Sequence, residues 1–340
     1  MLFSTEQVSK WHPDKYADQI SDAILTAYLR EDKNSHCGIE AMVKGTKIFL
    51  AGEVTSEATV NRRDIVQRVA DKLGYDVDMV FDAISEQSPE IRKAVNADKN
   101  IGAGDQGMMY GYACNETESM LPYGFDLANK IIEILDKRSD GRFLKGDAKT
   151  QVTVDDQLPR TAESVKKIII SACTTEGFDI ETVRTTIEQW VREAIELPKE
   201  AEFIVNPSGL WTIGGPGADA GLTGRKIVCD QYGGYCPVGG GAFSGKDPSK
   251  VDRSGAYMAR EIACSLVNVY DFDYCEIQLA YAIGIAEPVS VNVINDRGID
   301  LSAEVRRAWD LTPRGMINYL ELCEKDYEKI AEGCHYRTRM

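Results

Sequence analysis

Long apolar runs are missing from this chain of 340 residues, and with them any segment fit to span a bilayer. Missing too is a basic-then-apolar start ending in small residues, since Met1-Leu2-Phe3 passes at once into Ser4-Thr5-Glu6-Gln7; no secretory leader is expected. The nine cysteines are odd in number, scattered, and form no Cys-x-x-Cys pair, which speaks against a structural zinc site and for reduced thiols in a cytoplasmic protein. Positive charge is scarce as well. With 39 Lys and Arg against 54 Asp and Glu, the formal net charge is -15, which excludes counterion-releasing attachment to nucleic acid or an acidic membrane as the main role. No low-complexity linker and no repeat divides the sequence, which is long enough for about two or three domains of ordinary size.

What positive charge there is clusters. Arg225, Lys226, Lys246, Lys250, Arg253 and Arg260 fall in one short span, around Gly239-Gly240-Gly241-Ala242-Phe243-Ser244-Gly245-Lys246. Glycines that let backbone approach a ligand, set among cations, suit a polyphosphate. The stretch nearly spells a P-loop, but Asp247 stands where a magnesium-binding hydroxyl is required, and no apolar strand leads into it. Gly102-Ala103-Gly104-Asp105-Gln106-Gly107 likewise fits a dinucleotide fingerprint without the strand that should precede it, and Asp105 would repel a pyrophosphate.

Taken in order, the first chemical feature is His12-Pro13-Asp14-Lys15. Pro13 suits a first helical turn, and Ile20, Ile24 and Tyr28 follow at helical spacing. A carboxylate beside exposed helical amides can hold a magnesium that bridges phosphate oxygens, or be only a favourable first-turn charge. Alternation on either side of Gly45 predicts a hairpin over 38–44 and 47–54, with Glu40 opposite the face of Ile39, Ala41 and Val43, and with Glu53 on the second strand. These acids either ligate a cation or are solvated. Helices are predicted over 61–73, at a short element ending near 81–84, over 122–136 and 251–267, around Ile180 to Val191, and near 303–309 and 316–323. Strands are predicted from Lys149 onward, over 164–172, 276–283 and 289–294. The polar stretch from Gln87 to Asn100 reads as a loop over a site or an ordinary connection. Trp211 is either core or an aromatic face for a base. Strands and helices in this order argue for α+β domains.

His12 to Lys15, Gly102 to Gly107, Asp147-Ala148-Lys149, Gly221 to Lys226 and the run from Gly239 to Ser254 together resemble the signature segments of the S-adenosylmethionine synthetases, in order and over nearly the whole chain. The resemblance implies three pseudo-symmetric α/β sandwich domains, each a mixed or antiparallel sheet packed with helices, corresponding in sequence to 1–95, 102–209 and 210–340 and discontinuous in structure. It implies synthesis of S-adenosylmethionine from ATP and L-methionine, with sulfur attacking the ribose C5′ and the tripolyphosphate then cleaved to pyrophosphate and phosphate. A thioether needs no activating base, so the demand falls on stabilising the leaving group.

By the same resemblance His12, Lys149, Arg225 and Lys246 are catalytic contacts to the polyphosphate. Asp147, Leu210, Trp211, Asp219, Lys226, Ala242 and Ile283 join them in binding ATP, Trp211 and Ile283 enclosing adenine. Glu53, Gln87, Asp105, Asp219 and Lys250 belong to methionine. Asp14 and Asp252 would hold Mg2+, two per site, and Glu40 would hold K+. Active sites would be shared between subunits of a homodimer or dimer of dimers. Lys10-Trp11 departs from the family's usual Glu-Gly and places bulk and charge near the polyphosphate, Trp211 stands for the usual Phe, the segment after Gln87 is short, and Cys173-Thr174 replaces a Gln-His pair. Those departures leave a second function class, a non-catalytic paralogue that binds nucleotide, which the retained charged positions argue against.

Overall fold

The computed structural model describes residues 1–86 and 102–337, so the segment from Gln87 lies outside the described residues. It opens with a strand that the sequence reading did not foresee, β1 (Leu2–Val8). Its pattern is inverted: Leu2 is exposed whereas Thr5 and Gln7 are buried, and Gln7 is satisfied by donating to Asn129 Oδ1 (2.9 Å) and to the Cys229 carbonyl (3.0 Å). A polar inner face conceals the period on which strand recognition rests.

Helix α1 (Pro13–Glu31) starts as expected, with His12 as its cap, Pro13 in the first turn and Asp14 close to the amide ends. The predicted hairpin forms from β2 (His36–Lys44) and β3 (Lys47–Thr55) in register Glu40 to Ala51. Helix α2 (Arg62–Leu73) is capped by Asn61. The expected helix ending near 81–84 is instead a strand, β4 (Met79–Ser85), parallel to β3, with Phe81 stacked on Phe49 at 4.6 Å. A short apolar run carries no period of its own, so pairing to β3 decides its form.

Apart from single-turn helices, the remaining described elements are β5 (Gly107–Cys114), α3 (Tyr123–Lys137), β6 (Leu144–Asp155), β7 (Val165–Thr174), α4 (Ile180–Ala194), β8 (Glu202–Val205), β9 (Gly221–Leu222), α5 (Val251–Tyr270), β10 (Tyr274–Tyr281), β11 (Ser290–Asn295), α6 (Ser302–Ala308) and α7 (Pro313–Tyr319). Lys149 is therefore in the middle of a strand rather than at its start, because pairing with β7 extends β6 back to Leu144. Ile283 falls in the turn after β10. The last predicted helix stops at Tyr319, where Leu320 caps it and Glu321 turns left-handed.

Three sheets result, in the orders β4-β3-β2-β9, β1-β6-β7-β8 and β11-β10-β5. The first two are mixed and the third is antiparallel. This is the expected α+β arrangement: α1 and α2 belong to the first sheet, α3 and α4 to the second, α5 and α7 to the third. Each sheet also borrows a strand from a distant part of the chain, as β1 joins β6 across more than a hundred residues. The opposite faces stay uncovered, and Met42, Met79, Phe81, Met108 and Ile294 are exposed there. No helix among the described residues is long and apolar enough to cross a membrane.

Candidate active site

Helix α1 organises the site. Asp14, Asp18 and Asp22 recur every four residues and so share one face. Each carboxylate accepts a backbone N–H from a segment some two hundred residues away: Leu222 of β9 on Asp14 (3.0 Å), Gly224 on Asp18 (2.8 Å) and Gly245 on Asp22 (2.7 Å). Both glycine loops are thus pinned to one helix. Arg253, wholly buried, donates to both oxygens of Asp22 at 2.7 and 2.8 Å, and burial still pushes Asp22 up to about 6. Lys15, also buried, reaches Asp230 at 2.6 Å and Asp18 at 3.1 Å. The sequence reading missed Asp18 and Asp22, although their four-residue spacing from Asp14 along the helix was a visible signal.

At the start of α1 the charges converge. Lys226 pairs with Asp14 Oδ2 at 2.5 Å, and Arg225 lies 3.6 Å from Oδ1. Burial alone would raise Asp14, but hydrogen bonds from Lys226 and the Leu222 amide hold it below the usual carboxylate range. The His12 ring is almost fully buried. Burial, then the charges of Lys226 and Lys149, push it down to about 3, so the imidazole is neutral. Because Nδ1 accepts from the Asp14 amide at 3.1 Å, the proton resides on Nε2, which is left free to donate.

Asp147, on β6 two residues before Lys149, accepts from the Gly215 amide at 2.7 Å, while its Oδ1 is buried without a partner. Burial pushes it up to about 6, and Asp219 adds to the rise. The same Asp219 acts electrostatically on His12. His12, Asp14, Asp147, Lys149, Asp219, Arg225 and Lys226 therefore form one group, drawn from four separate stretches of chain.

A second group surrounds the other end of the glycine loop. Gly245 has φ +80°, and a Cβ there would meet the Ile39 carbonyl at 1.8 Å; this lets the loop lie along β2, with the Ile39 amide donating to the Gly245 carbonyl (3.0 Å) and Gly38 bridging Lys246. Lys246 pairs with Asp252, and Lys250 pairs with the buried Asp247. The Asp252 carboxylate nestles against Gly241, and Ala242 lies against Gly224. Nearby, the 102–105 turn is stitched to the turn after β10 by Ala103 N to Ile285 O (3.0 Å) and Gly284 N to Ala103 O (2.8 Å), which brings Asp105 and Ile283 to one edge. Glu53 lies opposite Gly38 on the neighbouring strand, and Glu40 points outward from β2, both exposed.

Trp211 lies beside the end of β7 on the second sheet, whereas Ile283 follows β10 on the third. The Trp211 carbonyl accepts from Thr174 at the end of β7 (2.8 Å) and its indole donates to Ile213 O (2.5 Å); Leu210 beside it is half-exposed. Cys173 is buried against Gly214. Gln87 lies outside the described residues. Trp11, expected beside the polyphosphate, turns the other way: its ring lies on Gly146, its Nε1 donates to Leu73 O at 3.0 Å, and the Lys10 ammonium rests over it at 4.6 Å.

Comparison with known proteins covers the whole chain. Family models for the N-terminal, central and C-terminal domains of S-adenosylmethionine synthetase match residues 1–97, 100–211 and 213–340. An S-adenosylmethionine synthase from Salinibacter ruber is 42% identical over 358 residues, covering 98% of this chain and 93% of the relative. One from Mycoplasmopsis synoviae is 43% identical over 354 residues, covering 98% and 92%. The solved structure of an unusual S-adenosylmethionine synthetase from Campylobacter jejuni superposes with a TM-score of 0.89 at 33% identity, covering 99% of this chain and 96% of that one.

Proposed function

The chain belongs to the S-adenosylmethionine synthetase family, and from that premise we propose how its residues divide the work. The enzyme transfers the adenosyl group of ATP to L-methionine, its sulfur attacking the ribose C5′, and cleaves the tripolyphosphate. The observation that carries the residue assignment is the row of acids on α1, which gathers His12, Arg225 and Lys226 around Asp14 from opposite parts of the sequence. Lys149, Arg225, Lys226 and Lys246 meet the charge that grows on the departing tripolyphosphate. His12, neutral, donates from Nε2 toward the breaking bond without adding a cation that would bind ground state and transition state alike.

The family is metal-dependent; the ions we assign are Mg2+, two per site, and K+. Among the described residues no group of three or more His, Cys, Asp and Glu is placed to hold a metal. A single hard carboxylate at each of Asp14 and Asp252 fits magnesium, which keeps several oxygens of water or phosphate, and Glu40 is left for potassium. When bound, Mg2+ would neutralise charge on the phosphate oxygens. Asp147, Asp219, Leu210, Trp211, Ala242 and Ile283 complete the ATP site in this reading, and Glu53, Gln87, Asp105, Asp219 and Lys250 the methionine site.

ATP and methionine are the substrates; we further assign each active site to two subunits of a homodimer or dimer of dimers. Asp14 and Asp22 are eight residues apart, about 12 Å along α1, so the pair at Lys226 and the pair at Lys246 occupy different places. Uncovered sheet faces bearing Met42, Phe81 and Ile294 supply the apolar surface that a second copy would bury. The segments 1–95, 102–209 and 210–340 are the proposed domains in sequence, with strands exchanged between them. Nine unbridged thiols suit the cytoplasm.

The test is incubation of the purified protein with ATP, methionine, Mg2+ and K+. S-adenosylmethionine with pyrophosphate and phosphate is expected, and His12→Ala should remove most of that turnover. Nucleotide binding without product would favour the non-catalytic paralogue.

A further inference from the structure

We infer that Trp11 is a positioning residue, which sets His12 and Asp147 in register by clamping the turn before α1 to three other parts of the chain. The first contact is with β6, where Gly146 has φ +98° and a Cβ would lie 2.4 Å from the Trp11 ring; a side chain there would displace the indole. Asp147, the next residue, takes its place from that packing. The second is with the end of α2, through the indole Nε1 donating to Leu73 O at 3.0 Å. The third runs through Tyr75, whose hydroxyl donates to the Trp11 carbonyl at 2.6 Å and lies so close to Gly215 that a Cβ there would meet it at 2.4 Å. Gly215 is the residue whose amide holds Asp147 at 2.7 Å.

Trp11 thus touches, directly or through Tyr75, both sides of the hydrogen bond that fixes Asp147, and it immediately precedes the His12 cap. A cavity of about 500 Å3 borders Trp11, Leu73, Tyr75, Gly214 and Gly215, so the turn has room to move once the ring is gone. Displacements of about an ångström in groups that orient reacting atoms can cost a hundredfold in rate. The departure from Glu-Gly at positions 10 and 11 is in this account a different way of fixing the same turn.

The inference rests on His12 and Asp147 belonging to the site, so the test separates the two ideas. In the holoenzyme, Trp11→Gly should lower kcat at least tenfold per folded protomer, measured where circular dichroism shows a native fold, while KM for methionine changes less than threefold. Trp11→Phe, which keeps a ring on Gly146, should recover to within about threefold of the parent. With 15N-histidine labelling the chain has only His12, His36 and His335 to resolve, and the unprotonated Nδ1 signature of His12 should shift toward a tautomer average in Trp11→Gly. Should Trp11→Gly not fold, Tyr75→Phe carries the test, with a three- to tenfold loss in kcat expected. Native-like Trp11→Gly or Tyr75→Phe with kcat within twofold of the parent and an unmoved His12 signature would overturn the inference. If His12→Ala itself turns over normally, the assignment of His12 fails instead.

Discussion

The first turn of α1 and the edge formed by the 102–105 turn and the turn after β10 show how differently two regions of the molecule can be built. At the first turn, Asp14 is buried and held by Lys226 and the Leu222 amide, and His12 is neutral with Nδ1 already committed. At the other edge, Asp105 is exposed and accepts from its neighbour's amide at 2.7 Å, and Ile283 is 56% exposed. The first region is fixed by the chain itself; the second offers side chains without closing around anything. Such a contrast is what the reaction asks for. Charge on a leaving group is best met by donors that need not reorganise, whereas methionine and adenine must enter and leave, and a second subunit can complete their pocket.

The largest effect that would sharpen this contrast is expected from Lys246→Ala. Its pair with Asp252 is partly exposed, worth no more than about 1 kcal/mol to the fold, yet loss of a preplaced cation should lower kcat roughly a hundred- to a thousandfold. Stopped turnover assays alongside thermal unfolding would check it; a large fall in stability with normal turnover would contradict the division of roles. Next comes Phe81→Glu on the uncovered sheet face. A buried charge there should weaken self-association, so mass in solution should fall to that of one chain and activity should drop more than tenfold at low concentration.

The smallest effect is on pH. Asp147 is pushed up to about 6, so its carboxylate is lost as the pH falls through 6, and kcat/KM for ATP should decline on that side. Asp147→Asn should flatten the limb at a lower plateau. His12, pushed down to about 3, is neutral over the whole range and should add no limb near 6.5; a limb at that pH abolished by His12→Asn would show the ring to be an ordinary solvated histidine.

Much of this was legible in the residues. The cap at His12, the hairpin around Gly45 and helix α5 follow from local chemistry, whereas the carboxylate partners of the cations around the glycine loop, Asp252 for Lys246, Asp247 for Lys250 and Asp22 for Arg253, were not foreseen. What was hidden depends on contacts distant in sequence. β1 was invisible because its inward residues are Thr5 and Gln7, whose partners lie far along the chain. β4 could not be told from a helix until β3 lay beside it. Asp18 and Asp22 carried a visible spacing, but their purpose, holding the amides of Gly224 and Gly245, exists only once the loops return. Trp11 was expected at the phosphates because it neighbours His12 in sequence, yet its ring is drawn away by a glycine on β6.

The central claim is that the Asp14 end and the Lys246 end of one chain serve different sites, each completed by a partner. Mixing Asp14→Asn with Lys246→Ala under conditions that let subunits exchange tests it directly. Random exchange makes about half of the dimers mixed, each with one site free of both substitutions, so the mixture should regain about a quarter of parental turnover though neither variant alone is active. A mixture as inactive as its components, with exchange confirmed by mass, would place both residues in the same site of one chain and contradict the account.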